Sequence, residues 1–174
     1  MNIFMLHYDT EHCAQMHCDK HINKMLVEYG QMLSTAHRML DGTLYIEKVK
    51  GRRIKRWLHD NDLLYKATHV NHPSNIWTRE SSQNYDWLYS LFKACYVERH
   101  HRYGKGHGTW DKLGEFLASA PKNIPHTGVT DLPLCMPDKY KVACPVESYR
   151  NFYRGDKREF ATWKNRETPE WFNG

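Results

Sequence analysis

The sequence contains no apolar run approaching the length of a membrane span, and its first residues, MNIFMLHYD, carry no secretory signal pattern. It also lacks a CxxC pair. Cys13, Cys18, Cys95, Cys135 and Cys144 are odd in number, and the spacing between Cys13 and Cys18 suits a structural zinc site poorly. A disulfide framework is therefore not what organises the chain, and a reducing cytoplasm is its expected home. No internal repeat and no low-complexity segment is present. Carboxylates do not cluster, which argues against a two-magnesium nuclease. HCDKH stands where a zinc protease needs HExxH, so that chemistry lacks its general base.

What the sequence does hold is basic and rich in rings. At 174 residues it is expected to be a single domain, 1–174, with enough chain for a real core. A formal charge of +5 and a pI of about 8.9 favour an anionic partner, nucleotide or nucleic acid. Twelve histidines, eleven tyrosines and six tryptophans supply side chains that stack on bases as well as fill cores. No membrane partner is expected, and a homo-oligomer is compatible with the composition.

The most informative stretch is 9–42, which reads as one long amphipathic helix. Asp9 or Thr10 caps its start, Gly42 follows its end, and no proline interrupts it. At about 100° per residue, Ile22, Met25, Leu26, Tyr29, Met32, Leu33, Ala36 and Leu40 form an apolar arc. Cys13, His17, Lys20, His21, Lys24, Glu28, Gln31 and Arg38 fall opposite in one strip. A solvated surface face is normally built from Glu/Lys pairs spaced four apart, and this strip has few. Its imidazoles, amines, carboxylate and amide are the groups that grip phosphate, bind metal or move protons.

Further along, 44–57 changes period around Gly51 and predicts a β-hairpin carrying Lys48, Lys50, Arg52, Arg53, Lys55 and Arg56 against a single Glu47. Charged edge strands often avoid aggregation in this way, and a basic ribbon is equally a clamp for a nucleic-acid backbone. A short helix is expected at 60–67. A second long helix is expected at 73–101, with Pro73 in its first turn. It would carry Arg79 and Asn84 toward a cleft and end in the basic, glycine-punctuated stretch containing Arg102 and Lys105. Another short helix is expected at 110–118. Residues 121–145 hold five prolines yet are too apolar for a disordered linker, so an ordered loop is expected. A C-terminal helix at 146–165, weakened at Gly155, precedes Trp171 and Phe172, which should dock on the body. The fold class is mainly α: a compact helical domain of about five helices with one small basic β-hairpin.

DTEHCAQMHCDKHINKM, LSTAHRMLDG, LYKATHVNHPSNIWTRESSQNYDWLY, HRYGKGH, MPDKYK and SYRNFYRGDKREFATWKNRETPEWF together resemble a family of small uncharacterised proteins encoded by tailed bacteriophages. The resemblance covers nearly the whole chain. It implies a viral origin and action in the bacterial cytoplasm, but no activity and no residue roles.

Three function classes follow from the residues. The first is a hydrolase or glycosyl/phosphoryl transferase acting on a nucleotide or nucleic acid. There His17, His21 and Glu28 are catalytic, and Lys20, Lys24, Gln31, Arg38, Arg79, Asn84, Arg102 and Lys105 bind substrate. The i,i+4 pair His17/His21 either ligates a divalent metal or supplies acid, base and phosphate anchor without one. No organic cofactor is expected. The second is a non-catalytic binder, either a sponge for a nucleotide defence signal or a nucleic-acid-binding protein. The third is a base-excision glycosylase, for which Lys20 or Lys24 is the nucleophile on the organising helix.

Overall fold

The computed structural model describes residues 1–173. Seven α-helices and one two-stranded antiparallel hairpin, with three single-turn 3-10 helices, make up its regular structure: α1 (Thr10–Met16), α2 (Asp19–Asp41), β1 (Thr43–Val49), β2 (Arg52–Leu58), α3 (Pro73–Glu80), α4 (Ser82–Tyr103), α5 (Gly108–Leu113), α6 (Pro145–Arg154) and α7 (Glu170–Asn173). The fold is mainly α, as expected, and no helix among the described residues is long and apolar enough to cross a membrane. Two of the expected long helices are each broken in two, the first by partners far along the chain and the second at a local cap.

The expected 9–42 helix stops at His17 and Cys18, both of which have extended backbone. Ending α1 frees carbonyls that need partners. Arg102 Nη2 donates to the Gln15 carbonyl at 2.9 Å and Trp163 Nε1 to that of Met16 at 3.0 Å. The Asp19 amide, opening α2, donates to the Thr162 carbonyl at 2.8 Å. The expected 73–101 helix breaks at Ser81, whose hydroxyl accepts from the Gln83 amide and caps α4. Pro73 does occupy the first turn of α3, and His72 caps it by accepting from the Ser74 amide.

α2 is the central element, packing against α4, α3 and α5, while α1 lies on α4. Ile22, Met25, Leu26, Tyr29, Met32, Leu33 and Ala36 are buried in one hydrophobic cluster with Leu88, Leu91 and Phe92 of α4. The N-terminal Ile3, Phe4, Met5 and Leu6 enter the same cluster without forming a strand.

Three other expectations are corrected. Residues 60–67 form no helix, because the Leu64 and Tyr65 carbonyls are taken by Arg38. The 110–118 helix is α5 followed by a short 3-10 turn, Phe116–Ala118. The C-terminal helix ends at Gly155, where a Cβ would collide with the Tyr140 ring that crosses it, so 156–165 is not part of it. The 121–145 segment is irregular but anchored, with Ile124, Leu132 and Met136 buried. Phe172 packs edge-on against Trp163 at 4.7 Å.

The hairpin leaves the body at Gly42, where a Cβ would strike the carbonyl oxygens of Arg38 and Leu58. Its turn, Lys50–Gly51, has positive φ at both residues (49° and 78°), the mirror-image turn that suits strand twist. Register pairs Lys48 with Arg53, Ile46 with Lys55, Tyr45 with Arg56 and Leu44 with Trp57.

Candidate functional site

The residues of the predicted helix strip do not share one open face. His17 is fully buried: its Nδ1 meets the Cys13 carbonyl at 2.7 Å and its Nε2 the Tyr29 hydroxyl at 3.0 Å. His21, also buried, stacks on Phe4 with ring centres 4.3 Å apart and bonds Tyr153 through Nδ1 at 2.5 Å. Burial lowers the pKa of His17 to about 4 and, with the charges of His17, Lys157, Lys24 and Lys20 added, that of His21 to about 2. Both imidazoles are therefore neutral at pH 7; His17 spends both ring nitrogens on core partners, and His21 spends Nδ1 on Tyr153. The helix break rotates α1 relative to α2, which takes Cys13 and His17 out of the strip.

Most other strip and cleft candidates hold the fold together. Glu28 accepts from the Asn2 amide at 3.2 Å and pairs with Lys24 and with the chain's N-terminal amine. Arg38 spends its guanidinium on three carbonyls, those of Trp57, Leu64 and Tyr65, tying the root of the hairpin to the loop after it. Arg79 donates to the Val70 carbonyl at 2.7 Å. Asn84 exchanges hydrogen bonds with Thr130 and donates to the Trp77 carbonyl. Arg102 is buried between Glu98 (2.7 Å) and Asp19 (3.0 Å). Lys20, exposed, lies over the Phe160 ring; Gln31 is half-buried and Lys105 exposed.

Two groups of histidine and carboxylate that the sequence reading passed over come together instead. In each, the donor atoms lie within 4.8 Å of one another. His37, Asp41 and His59 meet where α2 ends beside the hairpin. Tyr85 donates its hydroxyl proton to Leu117, so His37 Nε2 donates to Tyr85 and its Nδ1 keeps a lone pair. His59 Nδ1 accepts from the Asn61 amide, which places the proton of the neutral ring on Nε2. Asp41 holds the backbone amides of Lys122 and Asn123. A metal here would have to displace the Asn61 bond. The i,i+4 spacing of His37 and Asp41 was visible in sequence; their meeting with His59 was not. The second group, His7, Asp9 and His12, is more exposed, and there too one imidazole nitrogen, His7 Nδ1, is already an acceptor.

The hairpin is the part of the surface with the most uncommitted charge. Arg56 pairs with Glu47 at 2.8 Å. Among the described residues, no carboxylate lies within ion-pair distance of Lys48, Lys50, Arg52, Arg53 or Lys55. Both ribbon faces are open, with Leu44, Tyr45, Ile46 and Leu58 exposed. An isolated two-stranded hairpin is marginally stable, and this one is fixed only at its root. A hollow of about 420 Å³ lies at that root, between β2, Met39 of α2 and residues 67–71. Two further hollows flank α1, of about 440 and 460 Å³, but their walls mix Glu11, Glu98 and Glu167 with Lys93 and Arg166 and favour neither sign of ligand.

No family model, curated protein or solved structure matches the chain. No residue role is therefore carried over from a relative.

Proposed function

We propose that the protein is a nucleic-acid-binding protein that grips the phosphate backbone with its basic hairpin and performs no chemistry through the His17/His21 pair. The observation that carries this is the set of five cations, Lys48, Lys50, Arg52, Arg53 and Lys55, presented without carboxylate partners on a ribbon open on both faces. A two-stranded ribbon fits nucleic-acid grooves, and each phosphate neutralised releases counterions. Against the hydrolase and transferase reading stands the burial of both histidines, which lowers their pKa values to about 4 and about 2 and leaves neither a strong base near pH 7. Against the glycosylase reading stands the position of Lys24, paired with Glu28 at 3.2 Å, and of Lys20 over a phenyl ring. The resemblance to phage-encoded proteins accords with this reading, since such a protein meets nucleic acid in the host cytoplasm.

The test is the salt dependence of binding. The quadruple variant Lys48→Gln, Arg52→Gln, Arg53→Gln, Lys55→Gln should reduce the slope of log K against log salt by about 3 for a single-stranded oligonucleotide, at ~0.7 per phosphate contact. Its melting temperature should stay near that of the parent, because none of the four makes an ion pair. A slope left unchanged would return the hairpin to the role of a protected edge.

A further inference from the structure

We propose that the hollow at the hairpin root takes one unstacked base of a single-stranded nucleic acid, whose phosphates then run up one face of the ribbon. This rests on the hairpin reading and specifies the polymer. At about 420 Å³ the hollow falls in the ~300–1,000 Å³ range of small-molecule sites. Its walls include Trp57, Met39, Ile54 and Val70, with Thr68, His69 and Asn71 supplying polar edges and Lys55 and Arg56 supplying charge.

Trp57 is singled out by what it does not do. The protein has six tryptophans. Trp77 and Trp87 pair with each other, Trp110 with Tyr96, Trp163 with Phe172 and Trp171 with Tyr153. Among the described residues Trp57 alone pairs with no ring, and it is half-buried in the wall of the hollow.

Register sets the rest. Trp57, Lys55 and Arg53 alternate along β2 and so share one face, with Lys48 directly opposite Arg53. An indole at the root is thus followed toward the tip by cations spaced about 7 Å apart, at ~3.3 Å per residue. Base-stacking platforms joined to a cationic track are how single strands are held without sequence readout.

The opposite wall is rigid. His69 sits in the left-handed region at φ 48°, a conformation a non-glycine residue keeps only when its surroundings hold it there. Asn75 Nδ2 donates to the Thr68 carbonyl at 2.9 Å and the His69 carbonyl at 3.1 Å, and Arg79 to that of Val70 at 2.7 Å. A base enters this hollow only after leaving its stack. A duplex must give up several kcal/mol to release one, at ~2–4 kcal/mol per base, whereas a single strand gives up far less.

The experiment measures anisotropy of the full-length protein with a fluorescein-labelled thymidine 20-mer, an abasic 20-mer and a 20-base-pair duplex. The expected result is at least about tenfold tighter binding of the thymidine strand than of either other polymer. Trp57→Ala should lose about tenfold on the thymidine strand alone, the scale of one base–aromatic stack, with the salt slope unchanged. Trp57→Phe, which keeps a ring, should melt like the parent and bind between the two. It should also lose the tryptophan quenching that the thymidine strand produces in the parent, and this readout stands even where Trp57→Ala fails to fold. Equal affinity for thymidine and abasic strands, or quenching that survives Trp57→Phe, overturns the base pocket and leaves the hairpin reading intact. No binding of any of the three polymers overturns the hairpin reading itself.

Discussion

Arg102 shows how a residue that reads as a ligand-binding cation can belong to the interior. It is 1% exposed, its Nε donates to Glu98 at 2.7 Å, and its two terminal nitrogens reach Asp19 and the Gln15 carbonyl. Burial alone would raise the Glu98 pKa, but Arg166 and Arg102 outweigh it and hold the carboxyl below the usual range. Removing one member of such a set leaves the other charges buried and incompletely paired. Arg102→Met should therefore destabilise the protein by about 3–5 kcal/mol. Lys105→Met, three residues on and exposed, should change stability by less than about 0.5 kcal/mol. Urea midpoints measured on the two variants side by side provide the check. A near-neutral Arg102→Met would mean that the cation is available for other work. Nothing in the stretch HRYGKGH distinguishes the two residues, because the side-chain partners of Arg102 lie outside it: Glu98 one turn earlier on α4, Asp19 on α2 and the Gln15 carbonyl on α1.

At the scale of elements, the boundaries legible in sequence are those written in local chemistry. Pro73 opens α3, and the alternation around Lys50–Gly51 gives the hairpin within a residue at either end. The apolar arc of α2 is also buried as read, from Ile22 to Ala36. The break at His17–Cys18 was not legible, since Arg102, Trp163 and Thr162 stabilise it from more than 80 residues away. The break at Ser81 was legible in principle: serine is a favoured N-cap, a signal overridden by the apolar period on either side. Gly42 illustrates a third case, a local residue with a long-range reason. Its backbone is extended and open to any residue, yet a methyl group there would meet the carbonyls of Arg38 and Leu58. Gly42→Ala should cost about 1–3 kcal/mol, as forced overpacking does, and tilt the hairpin away from α2. Proteolysis would report the tilt as faster cleavage in 43–58 than in the parent under the same conditions. A parent-like melting temperature and cleavage rate would show that the junction relaxes freely.

Across the whole molecule, His17 and His21, which suggested chemistry in the sequence, join His37 in a predicted response to acid. His17, His21 and His37 are buried, and their pKa values fall from 6.5 to about 4, about 2 and about 4. Burial is the first cause in all three. In the unfolded chain each takes a proton near pH 6.5, while in the folded protein none does until the pH is far lower. Between those limits the unfolded state binds more protons, so stability rises with pH and falls as the solution is acidified. The contribution is intact above about pH 6.5 and is lost progressively down to about pH 4, where His17 and His37 begin to titrate in place. Each such histidine removes about 1.4 kcal/mol per pH unit, so three together remove about 4, a large share of a typical stability of ~5–15 kcal/mol. Chemical denaturation monitored by circular dichroism should show the urea midpoint falling steeply from pH 6.5 to 5, well above the range where carboxylates protonate. His21→Gln, which cannot titrate, should lower the pH 7 midpoint yet flatten the slope by about one third. A midpoint level across that interval would mean that the three imidazoles reach solvent in the folded state, and with it the case for keeping His17 and His21 out of the chemistry would fall.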